Sequence, residues 1–279
     1  MKMFVTGSTG KVGSRLIPRI LQQGHHVKIL VRDATKVKKL QQQGVEIVEG
    51  DLLYPESYKD ALRGTDVVIH LAAQFRGVDE HTTKITNLDG SLALAQTVLQ
   101  IGVPRFVFAS TSNVYGNGHT RPNREDDELR ATDAYPVSKI EAEKELLTLH
   151  HEQGLGLRIV RLPFVYGDND PHIEEIIPFL RDWNPAKRMH MGHHVDVAQG
   201  LMLAATSSGI DGQIYNVADD APISVAELLE LYNIVIPAEA SQQEFDPWDM
   251  IMDTTRIRKE LHYRPIYPSF YTAKDADAL

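Results

Sequence analysis

The 279-residue chain has no cysteine, no excess of basic residues and no long apolar run. Without cysteine there can be no disulfide framework, no thiolate nucleophile and no thiolate-ligated metal, which excludes a disulfide-rich secreted scaffold. The formal charge of −9 argues against a nucleic-acid partner, because binding a phosphate backbone requires a basic face. No segment approaches the roughly eighteen apolar residues of a membrane span, and the opening MKMFVTG is too short for a signal-peptide core. We therefore expect a cytoplasmic protein that binds neither nucleic acid nor a membrane.

The sequence does contain an alternation of short β-branched runs and helical stretches. The runs lie at 4–6, 27–31, 45–48, 67–71, 105–109 and 157–162, with helices predicted at 11–23, 35–42, 55–62, 87–101 and 136–150. Strands separated by helices imply right-handed parallel crossovers, and the continuous apolar character of the strands indicates burial on both faces. The pattern predicts an α/β protein with a doubly wound parallel sheet.

Beyond Gly167 the alternation stops, because prolines divide the rest of the chain into short segments. We predict one domain across 1–167, to which a helix and a strand return from about 195–217. The remainder, 168–279, is predicted to be mainly a small C-terminal lobe.

The segment TGSTGKVG at 6–13 follows the first predicted strand and opens the first helix. At this spacing Gly7 permits a tight turn, Gly10 lets the backbone approach a pyrophosphate, and Gly13 lets the helix pack closely on the sheet. The helix N-terminus adds free N–H groups and the positive end of its dipole. The loop predicts a bound dinucleotide, against the alternative of an ordinary glycine-rich turn. Its other expected cofactor contacts are Thr9, Lys11 and Val12.

The end of the second strand bears on the choice of dinucleotide. In the usual dinucleotide-binding fold an acidic residue there hydrogen-bonds the adenosine ribose, whereas this chain has Val31 followed by Arg32 and Asp33. A guanidinium suits a 2′-phosphate through bidentate, charge-assisted contacts. We therefore expect NADP(H) rather than NAD(H). Asp33 is the argument for NAD(H), and a solvent-facing Arg32 is the alternative.

Further motifs lie along most of the chain. They are TGSTGKVG at 6–13, GDL at 50–52, HLAA at 70–73, Asn87 in TNLDG, FVFASTSNVYG at 106–116, YPVSK at 135–139, RLPFVYG at 161–167, HHVDVAQ at 193–199 and RIRKELHYRP at 256–265. Together they resemble the extended short-chain dehydrogenase/reductase family, which holds nucleotide-sugar epimerases and dehydratases. The resemblance implies a Rossmann sheet with a small substrate-binding lobe, a nicotinamide cofactor and hydride transfer at a carbinol or carbonyl.

A tyrosine and a lysine four residues apart carry the expected proton chemistry. The ordinary pKa of tyrosine is about 10, so Tyr135 needs a nearby cation that lowers this pKa, and Lys139 lies on the same helical face. The resemblance implies that Tyr135 is the general acid/base and that Lys139 also holds the nicotinamide ribose. It gives Thr111 the task of orienting the substrate oxygen, with Ser112 as the alternative.

The resemblance also implies cofactor contacts outside the glycine loop, with plain packing at strand ends as the alternative for each. Adenine contacts fall on Asp51 and Leu52, contacts past the fourth strand on Leu71, Ala72 and Ala73, and contacts beside the nicotinamide on Pro163 and Val165. Asn87 is expected to support the site through hydrogen bonds rather than to react. Helices 87–101 and 136–150 form the dimer interface in relatives, so we expect a homodimer.

The histidine pairs at 25–26, 150–151 and 193–194 are not expected to bind a metal, because adjacent side chains diverge and no carboxylate cluster accompanies them. Dehydratases of the family have acidic residues directly after the Ser/Thr position. Here Ser112 and Asn113 follow Thr111, which argues against 4,6-dehydration.

Three functions stay open for the chain. The first is an oxidoreductase or epimerase that acts on a sugar or nucleotide-sugar derivative. The second is an NADPH-dependent reductase of a small ketone or aldehyde, which the compact C-terminal region and the VRD segment favour. The third is a catalytically silent NADP(H)-sensing protein, although such relatives typically lose the tyrosine and lysine that this chain keeps.

Overall fold

The structure is a computed structural model that describes residues 1–279. The strands are β1 Lys2–Thr6, β2 His26–Val31, β3 Glu46–Glu49, β4 Val67–His70, β5 Phe106–Thr111, β6 Leu157–Leu162, β7 Phe164–Tyr166, β8 Arg188–Met189, β9 Met191–His193, β10 Gln213–Asn216 and β11 Ile223–Ser224. The α-helices are α1 Lys11–Gln22, α2 Lys38–Gln42, α3 Glu80–Lys84, α4 Gly90–Ile101, α5 Ala134–Gln153, α6 His172–Leu180, α7 His194–Thr206, α8 Val225–Leu231, α9 Thr255–Glu260 and α10 Phe270–Asp275. No helix combines the length and the apolar character that crossing a membrane requires.

The central sheet has seven strands in the order β3-β2-β1-β4-β5-β6-β10. Strand β1 pairs in parallel with both β2 and β4, while β3 and β5 extend the parallel array on either side. The chain therefore adds β2 and β3 on one side of β1 and then β4, β5 and β6 on its other side. This arrangement confirms the predicted doubly wound sheet, and ligands of such sheets bind where the strand order reverses, at the carboxyl ends of the strands.

The structure divides the chain into two compact units. The first unit comprises 1–111, 132–160 and 200–214, and the second comprises 112–131, 161–199 and 215–279. The sequence places a boundary near 167 with a return to the first domain at about 195–217. In the structure the chain leaves the first unit between Val160 and Arg161, inside β6, and returns to it across 200–214. The segment 112–131 also belongs to the second unit. Proline spacing does not predict that 112–131 belongs to the second unit, because this membership depends on contacts distant in sequence.

Each unit has its own apolar core. In the first, helices α4 and α5 contribute Leu94, Val98 and Leu146 to a cluster with strand residues such as Phe106 and Ile159. In the second, residues of α6, α8 and α10 pack with Tyr166 of β7 and with the strand methionines. Strands β4, β5 and β6 are buried at every position, as predicted for strands covered on both faces.

Two predicted helices differ from the observed ones. The stretch 55–62 is not an α-helix but two short 3-10 turns, Pro55–Ser57 and Lys59–Leu62. Tyr58 interrupts them with φ of −138°. The Tyr54 carbonyl accepts from both the N–H and the hydroxyl of Ser57, at 2.9 and 2.6 Å, whereas the Tyr58 N–H donates to the Pro55 carbonyl. The predicted helix 35–42 likewise begins as a 3-10 turn, Ala34–Val37, before α2.

The helix predicted across 87–101 starts earlier and contains an irregular turn. Helix α3 begins after Asp79, whose carboxylate accepts a hydrogen bond from the Thr82 N–H at 2.9 Å. A π-helical turn, Ile85–Asp89, then joins α3 to α4. Such turns are rare and occur frequently at functional sites.

A buried histidine ties together β1, β4 and α4. The His70 ring contacts the Thr6 hydroxyl at 2.6 Å through Nδ1 and the Ser91 hydroxyl at 2.9 Å through Nε2. Ser91 donates its own proton to the Asn87 carbonyl at 2.6 Å, so His70 must donate from Nε2 and accept from Thr6. Burial lowers the pKa of His70 to about 3, which keeps the ring neutral, as this arrangement requires.

We expect His70→Leu to lower the free energy of unfolding by about 2 kcal/mol, because the change leaves the buried Thr6 and Ser91 hydroxyls without their partner. Urea denaturation followed by circular dichroism measures the difference. The matched control is His151→Leu, since His151 is exposed on α5. Equal stabilities of the two variants would contradict the role given to His70.

Candidate active site

The glycine loop has the backbone geometry that its sequence predicts. Gly7 has φ of +72°, and a Cβ there would lie 2.6 Å from the Ala72 nitrogen. A Cβ on Gly13 would collide with the Gly7 carbonyl oxygen. Both positions therefore require glycine, one for its conformation and its approach to β4, the other for close packing of α1.

The start of α1 is suited to an anion. Gly10 is the N-cap residue and offers no side-chain hydrogen bond, and the first turn holds Lys11 but no acidic residue. The buried Ser8 hydroxyl, in the same loop, has no hydrogen-bond partner within the protein. Backbone N–H groups together with an unsatisfied buried hydroxyl fit the pyrophosphate of a dinucleotide.

Arg32 and Asp33, the two charged residues that follow β2, differ in their surroundings. Arg32 is exposed. Asp33 accepts hydrogen bonds from the Thr35 N–H at 2.9 Å and the Thr35 hydroxyl at 2.6 Å, which lower the pKa of its carboxyl. Asp33 thereby caps the 3-10 turn Ala34–Val37. Its carboxylate is engaged in closing that turn.

A cavity of about 370 Å³ lies between the glycine loop and the segment after β2. Its lining residues are Ser8, Thr9, Ser14, Pro18, Lys36, Val37, Lys39, Leu40 and Gln43. Two lysines there, Lys36 and Lys39, were not among the expected cofactor residues. The run KVKK at 36–39 was the available signal, but only the fold brings it to the glycine loop.

The other expected cofactor residues of the first unit follow β3 and β4. Asp51 accepts a hydrogen bond from the Leu53 N–H at 2.9 Å and so closes a tight turn after β3. After β4, the Ala72 N–H donates to the Thr6 hydroxyl at 3.3 Å, which holds Leu71 and Ala72 against Gly7. The structure thus brings these segments to the carboxyl edge of the sheet, where the glycine loop also lies.

Pro163 and Val165 lie in the second unit. Val165 is a buried residue of β7 whose pairing partner in β9 is Gly192. A Cβ on Gly192 would come within 2.7 Å of the Pro163 ring, so the glycine allows β9 to pass close to the proline. No group of three or more His, Cys, Asp or Glu side chains is arranged to hold a metal ion.

The three expected catalytic residues come from two neighbouring elements. Thr111 is the last residue of β5, and Tyr135 and Lys139 occupy the first turns of α5. The Thr111 side chain hydrogen-bonds the Tyr135 phenol. Lys139 is almost fully buried, with its ammonium 3.9 Å from the centre of the Phe108 ring. Ser112, the alternative to Thr111, is buried and begins the 3-10 turn Ser112–Tyr115.

The two titratable side chains of this site have pKa values far from their ordinary ones. Burial raises the pKa of Tyr135 to about 12, partly offset by the hydrogen bond from Thr111. Burial lowers the pKa of Lys139 to about 7, although the nearby Glu143 carboxylate raises it somewhat. The expected lowering of the tyrosine pKa by Lys139 is thus absent in the protein alone, because this ammonium lies over Phe108 and is itself destabilised by burial.

Asn87 connects the loop after β4 to the start of α5. It sits in the π-helical turn, accepts from the Gln74 N–H at 2.7 Å, and donates to the Gln74 carbonyl and the Ser138 hydroxyl, each at 2.9 Å. Ser138 in turn donates to the Tyr135 carbonyl at 2.6 Å. Sequence reasoning did not identify Gln74 or Ser138, since neither residue type in its local context signals such a bond.

Comparisons with known proteins identify the family of the chain. The model of the NAD dependent epimerase/dehydratase family matches residues 3–218. A relative from Stigmatella aurantiaca, 4-hydroxy-2-methyl-3-oxo-4-farnesyl-3,4-dihydroquinoline-1-oxide ketoreductase, is 30% identical over 83% of this chain and 72% of its own length. A UDP-glucose 4-epimerase from Vibrio cholerae is 32% identical over 59% of this chain and 52% of its own length.

Two solved structures share the fold. A dTDP-glucose 4,6-dehydratase from Streptomyces venezuelae, solved with NAD, has a TM-score of 0.81 at 24% identity and covers 97% of this chain and 94% of its own. A UDP-glucose 4-epimerase from Thermotoga maritima has a TM-score of 0.79 at 23% identity, covering 95% and 94%. With the family model matched over most of its length, the chain belongs to the NAD dependent epimerase/dehydratase family, the extended short-chain dehydrogenases/reductases.

Proposed function

We propose that this protein reduces a ketone or aldehyde with NADPH and that Tyr135 is its general acid/base. The observation that carries the proposal is the hydrogen bond between the Thr111 hydroxyl and the Tyr135 phenol, at the carboxyl edge of the sheet. This pair offers two hydroxyl groups to a single substrate oxygen. One orients that oxygen, and the other exchanges a proton with it.

The cofactor would be held by the glycine loop, by Asp51 and Leu52, by Leu71 to Ala73 and by Lys139, with Pro163 and Val165 beside the nicotinamide. When bound, the nicotinamide supplies or accepts the hydride. Thr111 then orients the carbonyl oxygen, and Tyr135 donates its phenolic proton to it. Tyr135 is protonated at neutral pH, as a tyrosine with the ordinary pKa of about 10 also is, so it has a proton for the alkoxide that develops during reduction.

The second candidate is epimerisation or oxidation at a sugar or nucleotide-sugar carbinol. The epimerase of Vibrio cholerae and the family description favour it. The ketoreductase of Stigmatella aurantiaca, whose similarity extends over more of this chain, favours reduction. A catalytically silent sensor is the weakest alternative, because Thr111, Tyr135 and Lys139 are all kept and the first two are hydrogen-bonded.

Three features support NADP(H) over NAD(H) as the cofactor. Asp33 caps a turn through its carboxylate, the group that an acidic residue at this position usually offers to the adenosine ribose. Arg32 is exposed next to it, and Lys36 and Lys39 line the cavity at the glycine loop. Two lysines at the cavity and an exposed arginine at the end of β2 suit a 2′-phosphate. The homodimer and the cytoplasmic location stay predictions.

Tyr135→Phe should lower the turnover number about 10²- to 10⁴-fold, because it removes the transferable proton and keeps the ring. The dissociation constant for NADPH, measured by fluorescence titration, should stay within about twofold of the unsubstituted protein. Tyr54→Phe is the control, since Tyr54 is an exposed tyrosine of the same unit. Full turnover by the Tyr135 variant would overturn the assignment.

Titration with both cofactors should show tighter binding of NADPH than of NADH. Arg32→Ala and Lys36→Ala should each weaken NADPH binding about tenfold, with little effect on NADH, because each removes a charge-assisted contact to the 2′-phosphate. Lys38→Ala is the matched control, because Lys38 does not line the cavity. A clear preference for NADH would contradict the proposed specificity.

The pKa of Lys139 predicts how stability depends on pH. An unfolded lysine keeps its proton up to about pH 10.4, whereas the folded protein releases that of Lys139 above about pH 7. Between these values the unfolded state binds more protons, so the free energy of unfolding rises with pH. Below about pH 7 Lys139 is charged in both states, and the folded protein bears the full cost of burying that charge.

Lys139→Met should remove this dependence. In urea denaturation without cofactor, the free energy of unfolding of the variant should exceed that of the unsubstituted protein by most at pH 6. This difference should shrink by pH 10. Lys144→Met, an exposed position on the same helix, is the control and should show no such trend. A constant difference across this pH range would mean that Lys139 keeps an ordinary pKa.

A further inference from the structure

An exposed phenylalanine lies directly against the proposed acid/base. The Phe75 and Tyr135 ring centroids are 4.6 Å apart and the two ring planes meet at 69°. Phe75 nevertheless stays 42% exposed. Isolated exposed aromatics are common on protein surfaces, but this one is in contact with the group that exchanges the proton.

The segment that carries Phe75 is held in place on both sides. Before it, both backbone groups of Gln74 are hydrogen-bonded to the buried Asn87 side chain, at 2.7 and 2.9 Å. After it, the Arg76 carbonyl accepts a hydrogen bond from the Gln74 side chain at 2.7 Å, and the Arg76 guanidinium lies 4.6 Å from the centre of the Phe75 ring. We call Phe75 and Arg76 the aromatic ledge.

The chemistry of the aromatic ledge selects between the two kinds of substrate left open above. A ring or alkyl group beside the reacting carbonyl can cover the exposed part of Phe75 and remove apolar surface from water. A sugar has less apolar surface to bury, and any of its hydroxyl groups that face the Phe75 ring lose water without gaining a hydrogen bond from that ring. A preformed ledge also binds without an ordering cost, because Gln74 already fixes its backbone.

We propose that Phe75 is a specificity-determining residue and that the protein reduces an aryl or similarly apolar ketone, with the aromatic part of the substrate resting on the ledge while its carbonyl reaches Thr111 and Tyr135. This inference rests on the reductase activity proposed above. The overall step adds one hydride from NADPH to the carbonyl carbon and one proton from Tyr135 to the oxygen, which leaves the carbinol, NADP⁺ and a Tyr135 phenolate that regains its proton from solvent.

The test compares an aryl ketone, α-tetralone, with a polar ketone, dihydroxyacetone, as substrates with NADPH. The unsubstituted protein should show a kcat/KM at least about tenfold higher for the aryl ketone. Phe75→Ser should lower that value about tenfold, mainly through KM, and leave dihydroxyacetone within about twofold. Phe75→Tyr should keep the aryl preference. Phe179→Ser, which removes an exposed phenylalanine from α6, is the control.

A purely structural role of Phe75, in which it only supports the Tyr135 ring, gives a different result. Phe75→Ser would then lower kcat for both ketones by the same factor, and that outcome overturns the proposed specificity while reduction itself stands. Equal kcat/KM values for the two ketones in the unsubstituted protein would overturn it as well.

Binding separates failure of the ledge from failure of the proposed reaction. Saturation-transfer NMR on the NADP⁺-loaded protein should detect α-tetralone, with a signal that Phe75→Ser reduces and Phe75→Tyr retains. Phe75-dependent binding without reduction of either ketone would keep the ledge as an aryl-binding site and overturn the reductase. No binding and no reduction of α-tetralone would overturn the ledge proposal.

Discussion

The side chain of Asn87 makes three hydrogen bonds that hold the proposed catalytic helix and the loop after β4 in one arrangement. Asn87 lies in the π-helical turn Ile85–Asp89 and is itself fully buried. Its carbonyl accepts a hydrogen bond from the Ser91 hydroxyl at 2.6 Å. The side chain and the carbonyl of Asn87 therefore both have partners in a buried position, where an unpaired polar group would be costly.

The same bonds continue to the glycine loop. From Ser91 the chain of hydrogen bonds passes through the neutral His70 ring to Thr6, the residue before Gly7, and Thr6 accepts from the Ala72 N–H. At the other end of this series of hydrogen bonds, the Ser138 hydroxyl donates to the Tyr135 carbonyl. The backbone that would hold the pyrophosphate and the residue proposed to move the proton are thus fixed relative to each other within the first unit. Such a network gains from being completely satisfied, since each unpaired group would carry a desolvation cost.

The sequence predicts the features that repeat with regular spacing. The parallel sheet follows from β-branched runs between helices, and the glycine positions follow from the strand–loop–helix context of 6–13. Features without a regular spacing were missed: the 3-10 turns at 55–62, the π-helical turn, and the second unit's segment 112–131. Asp33 could be read either way until its hydrogen bonds to Thr35 were visible, because the same carboxylate can bind a ribose or cap a turn.

This division has a physical basis that bears on function. Thr111, Tyr135 and Lys139 lie at the end of a strand and the start of a helix, where main-chain hydrogen bonds fix their positions and where residue spacing reveals them. Phe75 lies in the irregular stretch between β4 and α3, where the hydrogen bonds of Gln74 to Asn87 and to Arg76 hold it beside Tyr135. Loops on a rigid scaffold can change their side chains without disturbing the catalytic groups. It follows that the family is legible in the sequence motifs, whereas the proposed substrate class rests on contacts made by residues that no motif contains.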